Sequence, residues 1–104
     1  MSKNSAPDSP EAAYVFRLYL AGDSPNSVRA LANLYVLCRK HFPACHRIEV
    51  IDVLKEPQRA LKEAIFVTPT LVKISPAPEQ HIIGNLSEED AVLHAFGLPQ
   101  TAIA

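Results

Sequence analysis

Two short β-branched and aromatic runs separated by one long amphipathic stretch constrain this chain more than any other feature. The first, Tyr14-Val-Phe-Arg-Leu-Tyr-Leu-Ala21, places Phe16, Leu18 and Leu20 on one face and Val15, Arg17 and Tyr19 on the other. A strand that is apolar on nearly both sides belongs in the middle of a sheet. The second run, Arg47-Ile-Glu-Val-Ile-Asp-Val53, reads as another strand. Between them, Ser24-Pro25 is a helix start, because a hydroxyl accepts from the orphan N–H groups and proline tolerates the first helical position. Val28, Leu31, Tyr35, Cys38 and Phe42 then recur at spacings of three and four, the expected buried stripe of a helix that Pro43 ends. Strand, helix and strand in succession make a right-handed parallel βαβ unit.

The second half is antiparallel. Pro57 opens a short helix expected to reach about Ile65, with Leu61 and Ile65 inward. Thr70–Ser75 and Gln80–Ile83 read as strands joined by Pro76-Ala-Pro78, too few residues for a crossover helix, so they form a hairpin. Ser87-Glu-Glu-Asp90 has the spacing of a capping box, Ala91 to Phe96 continues that helix, Gly97 suits the position after its end and Pro99 blocks extension. The resulting order, βαβαββα, is the thioredoxin-like α/β arrangement, and Thr68-Pro69-Thr70 falls where that fold places a cis proline. Residues 1–13 form an expected flexible arm, residues 14–99 a single domain and residues 100–104 a short tail. Of nine prolines among 104 residues, where average usage gives about five, Pro69, Pro76 and Pro78 flank the third strand and are candidates for a conformational switch.

Charge and cysteine usage exclude several functions. Ten Lys plus Arg against eleven Asp plus Glu give a formal charge of −1, with no global basic field for nucleic acid or an anionic bilayer. No apolar run approaches the roughly 20 residues of a membrane span, and the first twelve residues lack a leader's apolar centre, so a cytoplasmic protein is expected. A thioredoxin carries C-x-x-C at the start of its first helix; here the stretch is Ser24-Pro25-Asn26-Ser27, which holds no thiol for disulfide exchange. Cys38, His41, Cys45 and His46 are metal-ligand types, but closing them on one ion would pull Cys38 out of the helix stripe, so no metal or cofactor is expected. Of the two thiols, Cys45 is the more reactive candidate. The four His lie at 41, 46, 81 and 94, none placed by sequence near Ser27 to build a hydrolase triad. Asp52, at the end of a strand, is expected to cap the following turn. These readings exclude thiol oxidoreductase chemistry at the helix start and compose no triad. A cysteine-free thioredoxin-like module holding a thiol peptide or glutathione through the Thr68-Pro69-Thr70 and Ile82-Ile83-Gly84 loops is the alternative.

In order and spacing, several segments resemble the KaiB family of circadian clock proteins. They are Leu18-Tyr-Leu-Ala-Gly22 running into Ser24-Pro-Asn-Ser-Val-Arg-Ala-Leu31, Val50-Ile-Asp-Val-Leu-Lys55 with Pro57-Gln58, Thr68-Pro-Thr-Leu71, and Ile82-Ile-Gly84 with Leu86-Ser87. The resemblance covers residues 14–93 and implies a regulator that works by binding. It implies a partner in a KaiC-like ATPase ring or another signalling protein, in a clock or a stress response. Self-association as a dimer or tetramer, and a second resting topology, βαββααβ, are also implied. Arg17, Arg29 and Lys73 match basic residues of the family and are the expected partner contacts. The chain departs from the clock-type pattern at Glu49, Ala64, Gln80 and His81, where that pattern is usually basic. It departs again at Ala95-Phe-Gly-Leu-Pro99, where higher helix propensity and a good stop favour the thioredoxin-like state.

Overall fold

The alternation in β1 (Tyr14–Leu20) does place it at the centre of a four-stranded sheet of order β2-β1-β3-β4. The computed structural model describes residues 14–41 and 46–96. The expected arm, Phe42, Pro43, Cys45, Gly97, Pro99 and the tail lie outside the described residues. The remaining elements are α1 (Pro25–His41), β2 (His46–Asp52), α2 (Pro57–Lys62), β3 (Thr70–Ser75), β4 (Gln80–Ile83) and α3 (Glu89–Ala95). β2 runs parallel to β1 with Leu18 opposite Val50, β3 runs antiparallel to β1 with Leu18 opposite Leu71, and β3 and β4 form the hairpin. No helix among the described residues is long and apolar enough to cross a membrane.

The two faces of the sheet bury different cores. Phe16, Leu18 and Leu20 pack with Leu71 of β3, with Ala30, Leu34, Leu37 and Cys38 of α1, and with Val92, Leu93 and Phe96 at α3. Tyr19, Ile51 and Val72 pack with Ala60 and Ile65 beside α2. The Phe16 and Phe96 rings lie 5.5 Å apart and fix the end of α3 against the sheet.

Three local expectations are corrected. The buried stripe of α1 is Ser27, Ala30, Leu34, Leu37 and Cys38; of the expected stripe Cys38 is buried and Leu31 packs half-buried against the core, while Val28 and Tyr35 face solvent. The helix carries two apolar stripes, and the buried one sets Ala30, Leu34 and Leu37 against Phe16, Leu18 and Leu20 of β1. In α2, Ala60 points inward and Leu61 outward, because the helix stops at Lys62 and a reversal brings Ile65 beneath Ala60. Its last turn is a Schellman motif: the Ile65 N–H donates to the Ala60 carbonyl at 2.8 Å, the Ala64 N–H donates to Leu61 at 3.1 Å, and Ala64 takes the left-handed conformation at φ 60°. The capping box at Ser87 does not form. Glu88 is the N-cap without a side-chain cap bond, and the Ser87 N–H instead donates to Asn85 Oδ1 at 3.0 Å. Leu86, at φ 65°, is turned into the core there, while Glu89 reaches across to α1.

Candidate partner-docking site

The carboxyl ends of β1 and β2 meet the start of β3 at one end of the sheet, and the loops there are held by short-range polar contacts. Asp52 Oδ1 accepts from the N–H groups of Gly22 and Leu54, both at 3.0 Å, and caps its turn as expected. These two backbone bonds hold the Asp52 carboxyl below its ordinary pKa. Gly22 sits at φ +57°, and a Cβ there would meet Leu54 Cδ1 at 3.3 Å. Ser27 Oγ accepts from the Ala21 N–H at 3.1 Å and from Ser24 Oγ at 2.9 Å, so both hydroxyls at the helix start are engaged in building the turn. The peptide bond before Pro69 is cis, as are those before Pro76 and Pro78. Thr70 Oγ1 donates to the Val67 carbonyl at 2.7 Å, and the Gly84 N–H donates to the Pro69 carbonyl at 3.0 Å, tying the β3 entry to the end of β4.

This polar frame leaves a cluster of large apolar side chains outside. The Schellman turn sends Ile65 into the core and Phe66 outward, where Phe66 is 79% exposed. Leu54, Leu61 and Val67 are also exposed, and Leu61, Phe66 and Val67 border a recess of about 330 Å³ together with Val53, Pro57 and Ala60. Contiguous exposed apolar surface of this kind marks an interaction site. The cluster was legible only in part: Ile65-Phe66-Val67 directly before Thr68-Pro69 cannot all turn inward, but Ala64 hides the reversal that a glycine would have signalled.

The three expected basic contacts are not brought together. Arg17 lies on the α2 side of the sheet, its Nε 2.9 Å from Glu49 Oε1, and Arg59 of α2 pairs with the other Glu49 oxygen at 3.0 Å. Burial pulls the Arg17 pKa down, but its neighbours Tyr19 and Glu49 outweigh that and raise it. Arg17 first, then Arg59, hold the Glu49 carboxyl below its usual range despite partial desolvation. Lys73 departs most from the expectation of an accessible cation. It shares the β3 face of Leu71 and is only 2% exposed, with Nζ donating to the Pro76 carbonyl at 2.7 Å and lying 6.0 Å from the centre of the Phe96 ring. Arg29 alone of the three is exposed and has no carboxylate partner among the described residues, its Nη1 making a 3.5 Å contact to Asn26 Oδ1.

The thiol chemistry of the fold has no counterpart among the described residues. Cys38 is fully buried, and desolvation pushes its pKa up to about 12, so it is a packed thiol rather than a nucleophile. No group of three or more His, Cys, Asp or Glu among the described residues is placed to hold a metal ion.

Comparison with known proteins gives a consistent picture. A family model described as the KaiB domain matches residues 17–98. The circadian clock oscillator protein KaiB of Synechococcus elongatus is 47% identical over 90 residues, covering 86% of this chain and 88% of that protein. Its counterpart in Thermosynechococcus vestitus is 50% identical over 85 residues, covering 82% and 79% respectively. Among solved structures, the N-terminal domain of Synechococcus elongatus SasA superposes with a TM-score of 0.67 at 21% identity, over 99% of this chain and all of that domain. Fasciola hepatica thioredoxin gives 0.65 at 17% identity, over 86% of this chain and 84% of that one. At these identities the two structures establish the thioredoxin-like fold and nothing finer.

Proposed function

The chain belongs to the KaiB family, and from that premise we propose that it is a non-enzymatic regulatory adaptor of a circadian or related signalling system, acting in the cytoplasm by docking on a KaiC-like ATPase ring. The observation that carries this reading is the exposed apolar cluster of Leu61, Phe66 and Val67 around its recess, at the end of the sheet where a thioredoxin would present its thiols. With Ser24 and Ser27 engaged in the turn and Cys38 buried, that end offers surface to a protein and no attacking group to a substrate. Of the three expected basic contacts, Arg29 is the one free to meet an acidic partner in this state, while Arg17 and Lys73 are held internally. A contact through Lys73 would require α3 to lift Phe96 away first.

The test is titration of the full chain against a KaiC-like ATPase ring in its nucleotide-bound state. Binding is expected, with at least a tenfold loss for Phe66→Ser, a solvent-facing change that leaves the core intact. No complex with the native chain, or Phe66→Ser binding as tightly as the native chain, would refute the reading. A calorimetric signal with glutathione that Phe66→Ser abolishes would favour a small-ligand site instead.

A further inference from the structure

The outer face of α1 is the molecule's other unexplained surface. The stripe that faces solvent carries Val28, Ala32, Tyr35 and Val36, with Val28 53%, Tyr35 43% and Val36 48% exposed. An ordinary surface helix presents charged and polar residues there. The charges that α1 does carry are all of one sign: Arg29, Arg39 and Lys40, with no Asp or Glu in seventeen residues of a chain whose formal charge is −1. Lys40 is neutralised by Glu89 of α3 at 3.0 Å, whereas neither Arg29 nor Arg39 has a carboxylate partner among the described residues. At a rise of about 1.5 Å per residue these two guanidinium-bearing positions stand roughly 15 Å apart along the axis, Arg29 at one edge of the apolar stripe near its start and Arg39 in line with the stripe beyond its end.

We propose that this face docks an acidic amphipathic helix of a partner protein, at a site distinct from the loop cluster and independent of the reading given for it. Val28, Ala32 and Val36 form an i, i+4, i+8 ridge with a small residue at its middle, which allows close ridge-into-groove approach of a second helix. Carboxylates toward the two ends of the partner's apolar stripe meet Arg29 and Arg39. A second copy of this chain does not fit, since either orientation sets arginine against arginine with no carboxylate on the helix to relieve it. A bilayer surface fits less well, because interfacial helices carry bulky Leu, Phe and Trp where this stripe has Val and Ala.

The probe is a fluorescein-labelled helical peptide with an Ala/Leu stripe flanked by glutamates ten residues apart, titrated by anisotropy and by amide shifts of the full chain. The acidic peptide is expected to bind at least tenfold more tightly than the same peptide with lysines, with the largest shifts at residues 28–39. Arg29→Glu with Arg39→Glu reverses that preference, and Ala32→Lys, which blocks the ridge, abolishes binding to both; all three positions face solvent, and a native circular dichroism melt confirms folding. Equal or absent binding of the two peptides overturns the proposal, as do shifts that map elsewhere. Tighter binding to phosphatidylserine vesicles than to the peptide, or self-association that Tyr35→Ser removes, overturns it in favour of a membrane or a second copy.

Discussion

Replacing Ala64 by glycine should stabilise the protein while leaving the docking cluster in place. Ala64 is exposed and sits at φ 60° in the C′ position of the turn that closes α2. A residue with a Cβ costs about 1–2 kcal/mol in that left-handed conformation, and glycine relieves it. Against this, glycine makes the unfolded chain freer by about 0.4–1 kcal/mol. No contact is lost, because the two Schellman bonds are made by backbone N–H groups. The net gain is therefore roughly 0.5–1 kcal/mol, or about 2–8 °C in Tm for a domain of this size. Thermal and urea unfolding measure it, with an unchanged m-value showing that the exposed surface has not altered. The mirror experiment is Gly22→Ala, where a new Cβ at φ +57° also presses on Leu54 Cδ1, and stability should fall. If Ala64→Gly leaves stability unchanged or lowers it, the turn is not the left-handed reversal argued here, and the outward aim of Phe66 loses its physical cause.

Truncating Leu34→Ala at the centre of the α1 core should cost about 2–5 kcal/mol, read from the urea midpoint. Glu89, held below the ordinary carboxylate range first by His41 at 2.7 Å and then by Lys40, contributes stability that is fully present above the unfolded pKa of about 4.3. That contribution is lost as pH falls through the lower folded value, so Glu89→Gln should flatten the acid limb of the stability curve and speed amide exchange in α3. Cys38, pushed up to about 12, acts in the opposite sense: stability declines as pH rises above the unfolded thiol value of about 8.5. In a Cys45→Ser background, native protein at pH 8 should therefore resist a thiol reagent that reacts at once after unfolding.

The elements were legible because their signals were redundant. β1 alternates cleanly, the hairpin is bounded by Pro76 and Pro78, and Pro25 and Pro57 mark helix starts, so the order βαβαββα and the central place of β1 follow from local chemistry. What failed were choices between near-equal apolar faces and features set at long range. In α1 two apolar stripes compete, and Leu34 and Leu37 with the small residues Ser27 and Ala30 are buried while Val28 and Tyr35 face solvent. Ser87 has the spacing of a cap, yet Leu86 is turned into the core beside it and the Ser87 N–H is taken by Asn85, so the helix starts one residue later, at Glu89, which reaches to Lys40 and His41. Lys73 reads as a surface cation on a strand until α3 folds over it, a contact more than twenty residues distant in sequence.

The internal pairing of charges decides what kind of docking this state supports. Glu49, where the clock-type pattern is usually basic, converts Arg17 and Arg59 from free cations into a bridged pair across β1, β2 and α2. Lys73 is withdrawn under Phe96. Arg17 and Lys73 are therefore closed off, and the loop cluster must bind through apolar area around Phe66. Burial of that kind is weakly screened by salt, whereas attraction of carboxylates to Arg29 and Arg39 on the open face of α1 falls as ionic strength shortens the Debye length from about 10 Å at 0.1 M. The two surfaces thus carry opposite salt signatures on one small domain, and a partner that used both would hold on at the loop cluster while its grip on α1 loosened.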